Sequence, residues 1–470
     1  MFGPAGAEDR GHLDFEESCP ARLHPSFFLL LEKNHCAILE RDCRQSPRVK
    51  TRLSNRRQLF LFLAAVVCMS VGVGVHDSIF NNFLSDTFNP QANVRGWLEF
   101  PREMPGFLVV AMTGVLCTLA VTRLAAVSTA LFAAGMLGMA LFGKSFWPMI
   151  GMMIVGSAGL HLSMPATASL ALDLSHENRR GRRMGQVGSV GTAGYVIGTS
   201  LVWLAFDKTA PQYRAGFLCA MAMGLLACVI YGAMHVRHLP QPRSRLVFRK
   251  KYSLYYVLEF FSGARKQIFI TFGPWVLIRV YHQPATDMAG LLMTAALIGI
   301  VFKPLAGHAM DRFGEGRIMI VDGVVLSAVC VGYGYAGFLT ATPEHARRLA
   351  CACYVLDNLL FALGDARVLY LSRLTNSREE TTSTLAMGVS INHVASMTIP
   401  VVAGVVWMRF GYEGVFLAGA VLALGLAAIA TRVPARRPGG QAPAAGGEVA
   451  GVVAGPGTGA TGEVIFPSGK

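Results

Sequence analysis

A chain of 470 residues that is 53% hydrophobic and only 15% charged, with a mean hydropathy of +0.45, is too apolar for a soluble protein of this length. Apolar windows long enough to cross a bilayer as helices recur along it, without the alternation of an outer-membrane barrel, so an all-α integral membrane protein is expected. The formal charge of +14 is spread over short clusters between apolar runs, a pattern that argues against a nucleic-acid partner and fits loops held on the cytoplasmic side.

In chain order, residues 1–57 read as a polar extension, poorly ordered, whose run "SFFLLL" is too short to span and which shows no signal-peptide cleavage site. About twelve spans follow, near 58–84, 95–120, 122–143, 146–173, 184–206, 211–235, 253–281, 285–310, 316–340, 346–373, 380–408 and 411–432. A basic linker at 236–252 separates an N-terminal bundle of six helices (58–235) from a C-terminal one (253–432), and the Gly/Pro/Ala-rich stretch 433–470 reads as a disordered tail. Starting the N-terminus inside puts the basic clusters 48–57, 176–183, 237–251 and 432–436 in the cytoplasm, against one exception at 345–348. Both termini are therefore expected on the cytoplasmic face of a cell (inner) membrane.

The halves repeat weakly. Gly106 and Gly114 in the second span match Gly299 and Gly307 in the eighth at the same spacing, as expected of a transporter whose halves rock about a central site. The glycines of the fifth span (Gly188, Gly191, Gly194, Gly198) are most simply read as helix packing. The cysteines lie mostly within apolar spans and read as small core residues; Cys351 and Cys353 alone are a weak metal signal, and neither a metal nor a cofactor is expected.

Charges inside spans carry the functional information, because each costs about 2.5–3.5 kcal/mol at mid-helix and needs a partner, water or a task. The first span has Asp77, the second Glu99 and, between two prolines, Arg102 and Glu103, the fourth His161. The seventh has Glu259, Arg265 and Lys266, the tenth Asp357, Asp365 and Arg367, the eleventh Asn392 and His393. Glu259 and Lys266 share a helix face, whereas Arg265 points about 100° away, so one cation is expected at the cavity and the other against a carboxylate such as Asp357. His161 and His393 read more readily as satisfied core histidines than as relays. Asp365 and Arg367 read as a gate or a solvated pair, and Lys303 as snorkelling to the inner surface.

After the eighth span, "GHAMDRFGEGR" places Gly307, Asp311, Arg312, Gly314 and Arg317 in a pattern that resembles the loop signature of the major facilitator superfamily. With the twelve spans and the central basic loop, the resemblance covers about 58–432. It implies two pseudo-symmetric six-helix bundles, alternating access, and a cavity lined by helices 1, 4, 7 and 10. The motif reads as a gate, with Asp311 expected to meet Arg182 or Arg183. The sequence departs from the family where Thr118 replaces the acid of the first-half loop, and the antiporter and drug-exporter signatures are missing.

The leading expectation is a secondary transporter of a small anionic or zwitterionic solute, coupled to protons, working as a monomer, and not an enzyme. Arg102, Arg265, Lys266, Asp357 and His161 are the candidate substrate-binding residues; Asp77, Glu99, Glu103 and Glu259 are candidates for proton coupling. Export of drugs or toxic cations, and a non-transporting receptor or scaffold, are the alternatives.

Overall fold

The computed structural model describes residues 50–109, 111–112, 116, 119–175, 180–236 and 248–434. Expectations for the N-terminal extension up to residue 49, the middle of the basic linker, the tail, Gly114 and Thr118 lie outside the described residues. Among the described residues, those from Asn55 on form one compact unit.

The described residues fold into helices, which we number α1 Lys50–Phe88, α2 Ala92–Trp97, α3 Glu99–Phe107, α4 Val121–Phe142, α5 Phe146–Asp173, α6 Arg180–Ala205, α7 Tyr213–Gly232, α8 Ser253–Arg279, α9 Ala285–Phe313, α10 Glu315–Gly334, α11 Pro343–Leu360, α12 Asp365–Leu374 and α13 Arg378–Ala430. Among the described residues nine helices are long and apolar enough to cross a membrane. One of them is α13, two helices merged across Gly411, where φ is 71°, and it holds a tenth span. Helix α8, whose apolar run is interrupted by Glu259, Arg265 and Lys266, is an eleventh, and the charged α2–α3 segment lies where the sequence places a twelfth. The outer face of α9 shows what surrounds the fold: Leu297, Ile300, Val301 and Leu305 are exposed, a surface that only lipid satisfies.

Local signals set several boundaries. Thr342 caps α11 by accepting from the His345 amide, with Pro343 in the first turn, and Ser377 caps α13 by accepting from the Glu380 amide. Gly314, at φ 83°, breaks the chain between α9 and α10, a backbone state that glycine adopts without strain. The tenth span is not one continuous helix: a 3-10 turn at Phe361–Gly364 divides α11 from α12. Such a turn in mid-span marks a hinge or a site.

Helix α4 packs on α5 and α7 in the first half, while α13 packs on α8 and α10 in the second. Among the described residues the halves meet mainly where α6 packs on α9 and where α2–α3 pack on α13. The glycine stripe serves packing where it can be followed, since Gly194 and Gly198 bring α6 against the Val67 and Val71 carbonyls of α1. A Cβ at Gly198 would lie 2.3 Å from the Val71 oxygen, so backbone must move. Gly198→Ala is therefore expected to destabilise by about 1–3 kcal/mol, outweighing the roughly 0.5–1 kcal/mol gained in helix propensity. Thermal unfolding of the purified variant checks the sign.

Candidate functional site: a charged central cavity

The α2–α3 segment supplies an unusually dense charge network. Glu99 is fully buried and accepts from Arg95 at 2.5 Å, Arg102 at 2.6 Å and, across the boundary between halves, from Gln267 of α8 at 2.8 Å. Arg95 also donates to Asn81 of α1 at 3.0 Å. Arg102 reaches Glu103 at 2.5 Å, so it sits between the two carboxylates, which separates their like charges. Glu103 in turn accepts from His393 Nδ1 of α13 at 3.1 Å. Each charge in this network has an opposite charge or a donor within hydrogen-bond distance, which is how it survives at zero or low exposure.

The pair of cations that interrupts α8 is resolved in two directions, as the helical spacing requires. Arg265 is 3% exposed and binds Asp357 of α11 at 2.6 Å, with the Phe361 ring 5.3 Å from its guanidinium. Asp322 of α10 is also buried and interacts electrostatically with Arg265, while its Oδ1 has no hydrogen-bond partner among the described residues. Lys266 points elsewhere and donates to Asn392 of α13 at 3.0 Å. Asn392 also donates to Glu259 at 3.2 Å, and Arg367 donates to the same carboxylate at 3.1 Å. Arg367 is thus an interior partner of Glu259 rather than a solvated neighbour of Asp365, because α12 turns it back toward α8.

Between the halves lies a cavity enclosing about 1200 Å³ of empty space, its open mouth included. Of the residues singled out from sequence, Asp77, Glu99, Arg102 and Asp357 line it. Arg265, Lys266, His161, Glu103 and Glu259 are not in its lining. Helix α1 brings Asp77 there beside His76, whose Nδ1 is 3.0 Å from its Oδ1, and Tyr195 of α6 lies 3.4 Å from Oδ2. Lys303 also lines the cavity instead of snorkelling to the inner surface. The 3-10 turn contributes Phe361 and Ala362, next to Asn358 and Tyr354 of α11.

Several lining or supporting residues were missed from sequence: His76, Asn81, Arg95, Tyr195, Gln267 and Asp322. Two of them carried a signal: Arg95 stands four residues before Glu99, the spacing of a helical ion pair, and Asp322 is an acid inside the ninth span. In the gate motif, Asp311, Arg312 and Arg317 are exposed, Arg312 lies over the Phe313 ring, and Arg183 donates to Gln186 at 2.7 Å. Within the same stretch, between Gly314 and Arg317, Glu315 pairs with Arg373 of α12.

The sequence model of the Major Facilitator Superfamily matches residues 62–346 and 255–462. The chain belongs to this superfamily. Its fold matches the nucleoside transporter NupG with a TM-score of 0.64 at 12% identity, covering 80% of this chain and 98% of that one. A D-xylose–proton symporter gives 0.61 at 14% identity over 80% and 97% of the two chains. An auto-inhibited POT family peptide transporter gives 0.65 at 12% identity over 82% and 98%. At such identities the likeness is one of fold. No curated protein matches the chain significantly. As a superfamily member with apolar helices throughout, it is a multi-pass membrane transport protein, and its partners are the bilayer and a small solute.

Proposed function

We propose that this transporter moves a small zwitterionic solute by alternating access, driven by protons. The reading places both termini on the cytoplasmic side of a cell (inner) membrane, with the monomer as the working unit. The observation that supports it best is the mixed charge of one cavity: Asp77, Glu99 and Asp357 share its surface with Arg95, Arg102 and Lys303. A wholly anionic solute would have to compete with Glu99 for both arginines, and a cationic drug would meet as many basic groups as acidic ones. A zwitterion offers an ammonium to Asp77 or Asp357 and a carboxylate to Arg102, so each buried charge gains a partner. Arg265 acts on this cavity through Asp357.

For the proton we assign Asp77. It faces the cavity from α1 with His76 beside it, Tyr195 opposite on α6 and the positive charge of Arg102 within electrostatic reach from α3. Its proton and the solute's ammonium compete for one carboxylate in one water-accessible space, which links their movements. In proteoliposomes with an imposed pH gradient, a panel of amino acids, betaines and dipeptides is expected to include an accumulated solute. Asp77→Asn is expected to lose most gradient-driven accumulation while keeping solute exchange at equal pH. Transport confined to cations, or indifferent to the pH gradient, would sink the reading.

A further inference from the structure

Glu103, His161 and His393 form a group that the cavity does not use. Each offers a ligand atom, and these atoms all lie within 4.8 Å of one another. The first two residues come from α3 and α5 of the first half, the third from α13 of the second. From these residues we infer a transition-metal site of the Zn²⁺ class, bridging the two halves.

The tautomers support it. His161 Nδ1 lies 2.9 Å from the Ser157 carbonyl oxygen, which can only accept, so the ring proton is on Nδ1 and Nε2 carries the lone pair. A backbone carbonyl orienting a histidine in this way is the usual outer support of a metal ligand. Ser157 is itself fixed, its hydroxyl donating to the Arg102 carbonyl. The Nε2 edge of His161 and the Cε1 edge of His393 both converge on Gly106, where a Cβ would lie 2.5 Å and 2.4 Å from them. Only a residue without a side chain lets the two rings approach, and their centroids are 5.2 Å apart.

Glu103 completes the set. Arg102 takes its Oε1 at 2.5 Å, leaving Oε2 against His393 Nδ1 at 3.1 Å. An ion would replace the hydrogen in that last bond, the imidazole proton moving to Nε2, so His393 stays neutral. Two imidazole nitrogens and one carboxylate oxygen suit Zn²⁺, Co²⁺ or Ni²⁺, and are too few and too nitrogen-rich for Ca²⁺ or Mg²⁺. Glu103 Oε2 and His393 Nδ1, 3.1 Å apart, already match the edge of about 3.3 Å in a tetrahedron with bonds near 2.0 Å, and with all ligand atoms within 4.8 Å of one another small side-chain rotations bring in the third. Arg102 lines the cavity and touches Glu103, so the site adjoins a route from solution.

The test is a titration of the detergent-purified full chain with Co²⁺, whose visible absorption reports nitrogen–oxygen coordination, followed by Zn²⁺. One saturable equivalent of coloured Co²⁺, displaced by Zn²⁺ and lost in both His161→Gln and His393→Gln, is the expected result. No saturable colour, or colour that persists in both variants, overturns the site. A second measurement needs no variant: bound Zn²⁺ should shield His161 and His393 from diethyl pyrocarbonate in the intact protein. Equal modification of both with and without Zn²⁺ would also overturn it. Neither readout involves transport, so this outcome is independent of the solute assignment.

Discussion

Glu99→Leu should leave little properly folded protein. The substitution strands Arg95, which is 2% exposed, beside Arg102, and removes the acceptor that Gln267 reaches from the other half. Deleting one partner of a buried pair costs about 3–5 kcal/mol, and here one carboxylate serves two guanidiniums. Against a total stability of about 5–15 kcal/mol, that removes a large part of the margin. Gel filtration in detergent and thermal unfolding read the loss directly. The double variant Arg95→Leu/Glu99→Gln removes one charge of each sign and leaves Arg102 with Glu103, so it should recover much of the stability. A single variant as stable as the parent would show that the network holds nothing.

The second large effect is expected at the Arg265–Asp357 pair. Arg265→Leu leaves Asp357 buried at 1% exposure, near a second buried acid, Asp322. We expect a loss of about 3–5 kcal/mol in thermal unfolding, and recovery of most of it in Arg265→Leu/Asp357→Leu, because an apolar pair carries no desolvation penalty. The same double variant should lose transport, since Asp357 lines the cavity. Stability without transport in the double variant is the signature of a pair kept for function; full transport there would remove Asp357 from the solute site.

Much of the architecture was legible because hydropathy and charge clustering are properties of contiguous residues. The eighth-span motif could name the superfamily for the same reason. The different directions of Arg265 and Lys266 followed from helical spacing alone, and Asp357 was a nameable partner because the family resemblance puts the seventh and tenth spans on one cavity. What stayed hidden depends on separation or on backbone. The Glu99–Gln267 bond joins residues 168 apart in sequence, and no local pattern announces it. The 3-10 turn at Phe361–Gly364 has no proline to betray it. Arg95 stands at the first position of the span expected at 95–120, where a charge at the edge draws no notice, yet it is buried at the base of the network. The cluster at Gly106 needed three helices from both halves, so His161 and His393 looked like isolated core residues.

The turn at Gly411 has a mechanical meaning. With one residue at φ 71° joining two spans of α13, no slack separates them. The earlier span carries Asn392 and His393, which touch α8 and α3, so any tilt there must drag its successor as a rigid lever. A few flexible residues inserted at this elbow would uncouple the two arms and let one swing without the other.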